Sequence, residues 1–422
     1  MNEGQRMTFQ LKISASDGVQ RALETLGRTE DVTFSPDGRR LAIAGYHRNK
    51  ILVVATAIAG TAADRRVVLS GCMTITSPGL ASPHGLCFLD DETLAVACRE
   101  GALTILRLPR MRGGESSFVL APVRTLATDH LHLLRTPGSV TSTRIGLDLY
   151  ELLICNNYAS QVTRHILDAR EQFRPLRNEV LLSAGLKIPD GITVNPDRRW
   201  LAVSNHETRE VLMFRNRADL DRSTGPDGAL AGVACPHGLR FTADDRFVIV
   251  ADAGAPHVHV YARDGRDWSG DRAPVASIRV MDDRTYRRGR HNPQEGGPKG
   301  VDVDRGMRVL VTTCAEQKLA CFDLERVLRE LGPDQDRPEA SALAADPAIS
   351  RDERHFREVL VRELRQLASI DARLAQQRAA LEAEHARAVQ AIYRTRSWRV
   401  TAPLRGLYSM ARALKRARDR HA

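Results

Sequence analysis

The sequence predicts an all-β fold, a six-bladed β-propeller followed by a long C-terminal α-helix and a basic amphipathic tail. Three observations lead there: a stretch that recurs, its spacing, and a change of composition past residue 325. The clearest copy is 236–263, PHGLRFTADDRFVIVADAGAPHVHVYAR. Leu239 and Phe241 alternate with polar neighbours, TADDR makes a turn, Phe247 to Ala251 is an apolar β-branched run, and Val258 to Tyr261 alternates again. Period-2 runs joined by Asp-containing turns are hairpin signals. One such unit cannot bury both faces of its sheet, so it requires neighbours of its own kind. Copies begin at Thr29, Pro83, Pro189 and Pro298, with a degraded one near Thr141. Starts roughly 50 residues apart suit four-stranded blades, and six of them make a propeller of about 300 residues.

Taken in order, Phe9 to Ile13 (FQLKI) alternates like a strand and stands before the first repeat. The last repeat runs out of strands near Asp323. The N-terminal strand is therefore expected to complete the last blade and close the ring, which removes two open sheet edges. Asp17 to Leu26 reads as a connector. Blade one runs from Thr29 to about Cys72, with Pro36-Asp37-Gly38 as its turn, and blade two from Pro83 to about Ala127, with a basic, Gly-containing loop at 110–114. Blade three covers about 139–183, and blade four runs from Pro189 to about Val233, with the loop DRSTGPDG before its last strand. Blade five starts at Pro236 and ends in a long polar connection, 282–297, of a length that is often functional. Blade six starts at Pro298. The propeller is thus assigned to 1–324, a linker to 325–351, a long helix to 352–394 and a basic tail to 395–422.

Residues 352–392 contain no Gly or Pro, and Leu360, Leu367, Leu374 and Leu381 recur every seventh residue. That is a leucine seam, a route to a homodimer through 352–394, although Asp371, Arg378 and His385 fall on the second apolar position. In the tail Leu404, Leu407, Tyr408, Ala411 and Leu414 share a helical face, with 9 basic and 1 acidic side chain over 391–422. A basic amphipathic helix fits peripheral contact with an anionic membrane first, and an acidic partner second.

The chain carries 62 Lys+Arg and 52 Asp+Glu, but 17 and 8 of these lie in 351–422. The high isoelectric point belongs to the tail, and no nucleic acid partner is expected of the propeller. Six of the seven cysteines (Cys87, Cys98, Cys155, Cys235, Cys314, Cys321) sit in or beside expected strands and none forms a CxxC pair. Buried free thiols suit a reducing compartment. The first residues show no signal-peptide core, and Ile51 to Ala59 is too short to span a bilayer. A cytoplasmic location, peripheral on the inner membrane, is expected.

Aligning the copies puts Glu30, His84, about Ser142, Asp190, His237 and Lys299 at the start of the inner strands. The second strands return to the same end at Gly45, Arg99, Asn157, Asn205, Asp252 and Cys314. One mouth of the channel is thereby lined with carboxylates, imidazoles and amides, groups that ligate metals or orient polar ligands. Solvated blade tops and strand-start turns are the plainer use of such residues.

The repeats resemble six-bladed propellers of the SMP-30/gluconolactonase and NHL-like group over about 30–324. That resemblance implies a lactonase-type hydrolase with one divalent metal ion. Its first ligand matches Glu30, while the second and third positions hold Asp190 and His237 here, where the group has Asn and Asp. The cation would polarise a lactone carbonyl and activate water, with Asp252 or His84 as catalytic base and Asn157, Asn205, Arg99 and Lys299 binding ligand. Residues 397–405, SWRVTAPLR, look like a tail of bacterial glycosyltransferases and other surface-polysaccharide enzymes. This implies a pathway rather than a reaction. The leading expectation is a ligand-binding or scaffolding propeller among polysaccharide-assembly enzymes, and the competing one is the hydrolase.

Overall fold

The structure is a computed structural model that describes residues 9–111, 113–127, 133–265, 267–331, 376–377, 380 and 382–387. The chain divides into two units, Met1–Arg351 and Asp352–Ala422. In the second unit, the described residues are helical and exposed. Most of the expected helix at 352–394, and all of the tail at 395–422, lie outside the described residues.

The first unit holds six sheets, each built on an antiparallel meander. Their inner strands are Thr29–Phe34, Pro83–Asp90, Pro137–Arg144, Pro189–Val194, Pro236–Phe241 and Gly300–Val303. Each inner strand touches the next, and the sixth touches the first, so the ring is closed. Six apolar cores lie between consecutive sheets. Ala42, Ile51 and Leu86 join blades one and two, and Val32, Leu41 and Val309 join blades one and six. The second strands explain the unbroken apolar runs. Trp200–Asn205 and Phe247–Asp252 are buried at every residue, because a neighbouring blade covers each face.

The hairpin turns repeat a chemistry as well as a shape. Ser35 donates to Asp37, Asn195 to Asp197 and Thr242 to Asp244 at 2.6–2.7 Å. Each of those carboxylates also accepts from the backbone two residues on, at Arg39, Arg199 and Arg246. The polar turn residues thus replace bonds that the backbone cannot make with itself.

Blade three starts four residues earlier than its degraded repeat suggests. Its inner strand opens with Pro137-Gly138-Ser139, so Gly138, not Ser142, is the counterpart of Glu30. The glycine of each Pro-x-Gly start has a packing reason. A Cβ on Gly191 would lie 2.1 Å from the His237 carbonyl oxygen, and one on Gly238 2.6 Å from that of Lys299. Neighbouring inner strands therefore approach closely only where the side chain is absent.

Two stretches leave their own sheet. Gly114–Val119, after the basic loop of blade two, pairs in parallel with the outer strand of blade one, Arg66–Thr76. Gly270–Arg272 does the same for blade four at Gly228–Leu230. The N-terminal segment ties the ring. Leu11 N donates to Cys321 O at 2.8 Å, and Asp323 N donates to Phe9 O at 2.7 Å, which adds Phe9–Leu11 to blade six. Lys12–Ala15 then runs parallel to blade one. The connector is a helix, Asp17–Glu24, with Ser16 as N-cap. The start of the expected linker is also helical: Leu324–Glu330 buries Leu324 and Val327 on blade six.

Candidate functional site

Five inner strands carry one extra residue at their start. In blade two, for example, Pro83 faces Cys98 and Gly85 faces Ala97. The same shift occurs at Thr29, Pro137, Pro189 and Pro236. A bulge re-aims the side chain at the extra position. In four blades that position is Glu30, His84, Asp190 or His237, and the structure brings these four together, all at least 95 % buried. The His84 and His237 rings stack with centroids 5.2 Å apart.

The ligating atoms converge. Glu30 Oε2 lies 3.6 Å from His84 Nε2 and 3.7 Å from His237 Nε2. Asp190 Oδ2 lies 3.2 Å from His237 Nε2, and Oδ1 lies 3.9 Å from His84 Nε2. Donors about 2.0–2.1 Å from a tetrahedral cation stand about 3.3 Å apart, close to these separations. Both Glu30 oxygens and His237 Nε2 are buried with no hydrogen-bond partner of proper geometry among the described residues. Buried polar atoms that lack hydrogen bonds of proper geometry, gathered at one point, suit a bound cation. A small cavity opens on this cluster, lined also by Asp31 and Arg240. Its centre has room for about one water-sized body.

Cations surround the carboxylates. Lys299 Nζ lies 3.2 Å from Glu30 and 2.7 Å from Glu295, and Arg28 pairs with Glu30. Arg99 Nη2 lies 3.4 Å from Asp190, which also accepts from Asn157 Nδ2 at 2.6 Å. Burial alone would raise the Glu30 carboxyl, but Lys299, His84, Arg28 and His237 together hold it far below the ordinary range. Asp190 is held low against burial by His237 and Arg99. Burial, with Arg99 beside it, pushes His84 down to about 3, and burial also lowers His237. Both shifts favour the neutral imidazole, the form that ligates cations.

His84 has a fixed tautomer. Nδ1 lies 2.7 Å from the Gly138 carbonyl, which can only accept, so Nε2 carries the lone pair and points into the cluster.

Arg99, Asn157 and Lys299 reach the cluster, but Asn205 and Asp252 do not. Asn205 accepts from Lys187 N and donates to Gly185 O and Thr208 Oγ1. Asp252 accepts from Ala234 N, Cys235 N and Gly254 N, and lies 3.1 Å from His259 Nε2. Both pin the loop that leads into their own inner strand. Their equivalence with Arg99 and Asn157 was off by one position, because the true counterparts are Cys98 and Asn156. The sequence reading did not single out Arg28 or Glu295. Glu295 sits in the long 282–297 connection, whose length was its only signal, and it spans to His206 Nε2 at 3.4 Å.

No family model matches the chain, and no curated protein matches it. Among solved structures, similar chains include one in a "Crystal Structure of Mitotic Checkpoint Complex", with 11 % identity, 70 % of this chain and 74 % of that chain covered, and a TM-score of 0.43. Another is the Cps50 (Swd1) β-propeller domain of Myceliophteria thermophila, with 12 % identity, 70 % and 83 % coverage, and a TM-score of 0.41. Likenesses of this size carry no argument, and the six-bladed propeller stands on the closed ring of sheets described above.

Proposed function

We propose that the protein is a ligand-binding propeller whose axial mouth is centred on one divalent cation, held by Glu30, His84 and His237 with Asp190 beside them. The observation that carries this reading is the convergence of one buried ligand atom each from Glu30, His84 and His237 within 4.8 Å of one another, with neither Glu30 oxygen nor His237 Nε2 in a hydrogen bond of proper geometry among the described residues. Mixed imidazole and carboxylate donors suit zinc, manganese or iron. Binding is favoured over hydrolysis because both residues expected to act as base are engaged. Asp252 is committed to three backbone amides, and His84 Nε2 lies 2.6 Å from Arg99 Nη2 while Nδ1 is bonded to the Gly138 carbonyl. The SWRVTAPLR segment supports a place among surface-polysaccharide enzymes, with the propeller as their scaffold.

The test is equilibrium dialysis of the full chain against Mn²⁺, which avoids the seven free thiols, followed by metal analysis. One Mn²⁺ per chain is expected, with affinity lowered at least tenfold in Glu30→Gln and in His237→Ala. Equal binding by wild type and both variants would overturn the reading.

A further inference from the structure

Arg99 stands where a ligand would have to work. Its Nη2 lies 2.6 Å from His84 Nε2, the nitrogen whose lone pair faces the cluster. One N–H of the guanidinium therefore uses the electron pair that a cation requires. The backbone of Arg99 is fixed, with its N–H donated to Ser82 O at 2.9 Å, but its head is not enclosed. The side chain is 16 % exposed, and the guanidinium lies 5.7 Å from the ring centroid of Tyr158, which is itself 69 % exposed. An outward turn of the head along the Tyr158 ring would leave the strand in place.

Charge gives that movement a reason. The cluster sets three carboxylates (Glu30, Asp190, Glu295) against three cations (Arg28, Arg99, Lys299). A dication entering this balanced set leaves two positive charges in excess inside a buried site, which is costly unless they are compensated. Turning Arg99 outward removes one, and an anion at the mouth removes more. A guanidinium on an exposed aromatic face is well shaped to take a carboxylate through two parallel N–H bonds.

We propose that Arg99 is a displaceable plug, covering the His84 lone pair until a cation binds and thereafter holding a carboxylate-bearing small molecule at the mouth. This rests on the cation reading above. It assigns Arg99 the roles of positioning the ligand and setting its class, and it makes the carboxylate and the cation bind cooperatively.

The experiment is calorimetric titration of Mn²⁺ into wild type, Arg99→Met and Arg99→Lys, with and without acetate. Without acetate, Arg99→Met should bind Mn²⁺ about tenfold more tightly than wild type, with Arg99→Lys between them. Acetate should raise the apparent Mn²⁺ affinity of wild type several-fold and leave Arg99→Met unchanged. Thermal melting identifies a variant that has not folded, and Arg99→Lys keeps the charge should Arg99→Met fail. Mn²⁺ binding by wild type with no gain in either variant would overturn the plug and leave the cation centre standing. An equal acetate effect in wild type and Arg99→Met would overturn the carboxylate role. Absence of Mn²⁺ binding in every protein would overturn the cation reading and the plug with it.

Discussion

Glu295 comes from a loop, yet it shares Lys299 with a carboxylate from the first blade. Burial opposes its charge, but Lys299 and His237 outweigh that and hold its carboxyl down to about 2, below the ordinary 4.5. A depressed carboxyl contributes stability above its unfolded value and loses it as pH falls through its folded one. The contribution of Glu295 should be complete above about pH 5 and fade from there toward pH 2. Urea unfolding of wild type and Glu295→Gln should show a gap that is widest at pH 7 and narrows below pH 5. A gap that is constant over this range would contradict the ion pairing. Asp252 makes the opposite case, a carboxylate with a structural task. Asp252→Ala strands three backbone N–H groups and His259, so it should cost about 3 kcal/mol in unfolding free energy. Its Mn²⁺ affinity should stay at the wild-type value, and a tenfold loss there would return Asp252 to the site. The identities of Glu30, His84, Asp190, His237 and Lys299 were legible because the repeat marks the position after its first residue, a proline in all but the first of these copies. Arg28, Asn205 and Asp252 were not resolved, because a shift of one residue at a bulge decides whether a side chain faces the axis or its own loop.

At the scale of the element, the inner-strand bulge converts a common repeat into a site. Without the extra residue, the side chain after proline would follow the alternation of the strand and face a neighbouring blade. Blade three shows why sequence alone misplaced one start. Gly138 has no side chain at the axial position, and a Cβ there would meet Asn157 Oδ1 at 1.9 Å. The polar mark used to align the other copies is missing, and Asn157, just past the end of the adjoining strand, fills the space. The ring closure is a second element-level claim. Leu11→Pro removes the N–H bonded to Cys321 O and a side chain packed against the core between blades six and one. It should lower stability by about 3 kcal/mol. Gln10→Ala, which keeps both backbone bonds, should change it by less than about 0.5 kcal/mol. Equal effects in a urea titration would mean that this segment does not hold the ring. The alternation of FQLKI marked an extended segment, but the structure divides it: Phe9–Leu11 bridges blade six, and the strand proper, Lys12–Ala15, joins the sheet of blade one. The excursions Gly114–Val119 and Gly270–Arg272 were not, since pairing with another blade leaves no mark on a short polar stretch.

Across the whole molecule, six similar units become chemically unlike at one mouth. Packing asks the same of each blade, so the cores repeat, while the axial position is free to vary and holds Glu, His, Gly, Asp, His and Lys in turn. The blade count was legible because packing repeats. The cluster was only partly legible, because closing a ring sets residues up to about 270 positions apart against one another, as with Glu30 and Lys299. The charge of the sequence is concentrated elsewhere, with 9 basic and 1 acidic residue over 391–422. A chain ending at Ser350 should lose most of the sedimentation of the full chain with phosphatidylserine vesicles at low salt, and equal sedimentation would remove that role from the tail. The most direct measurement of the central claim is an anomalous difference map from crystals of the full chain grown with Mn²⁺. The account predicts a single peak on the propeller axis between Glu30, His84 and His237. A map that is flat there, with those three side chains ordered as described, would contradict it.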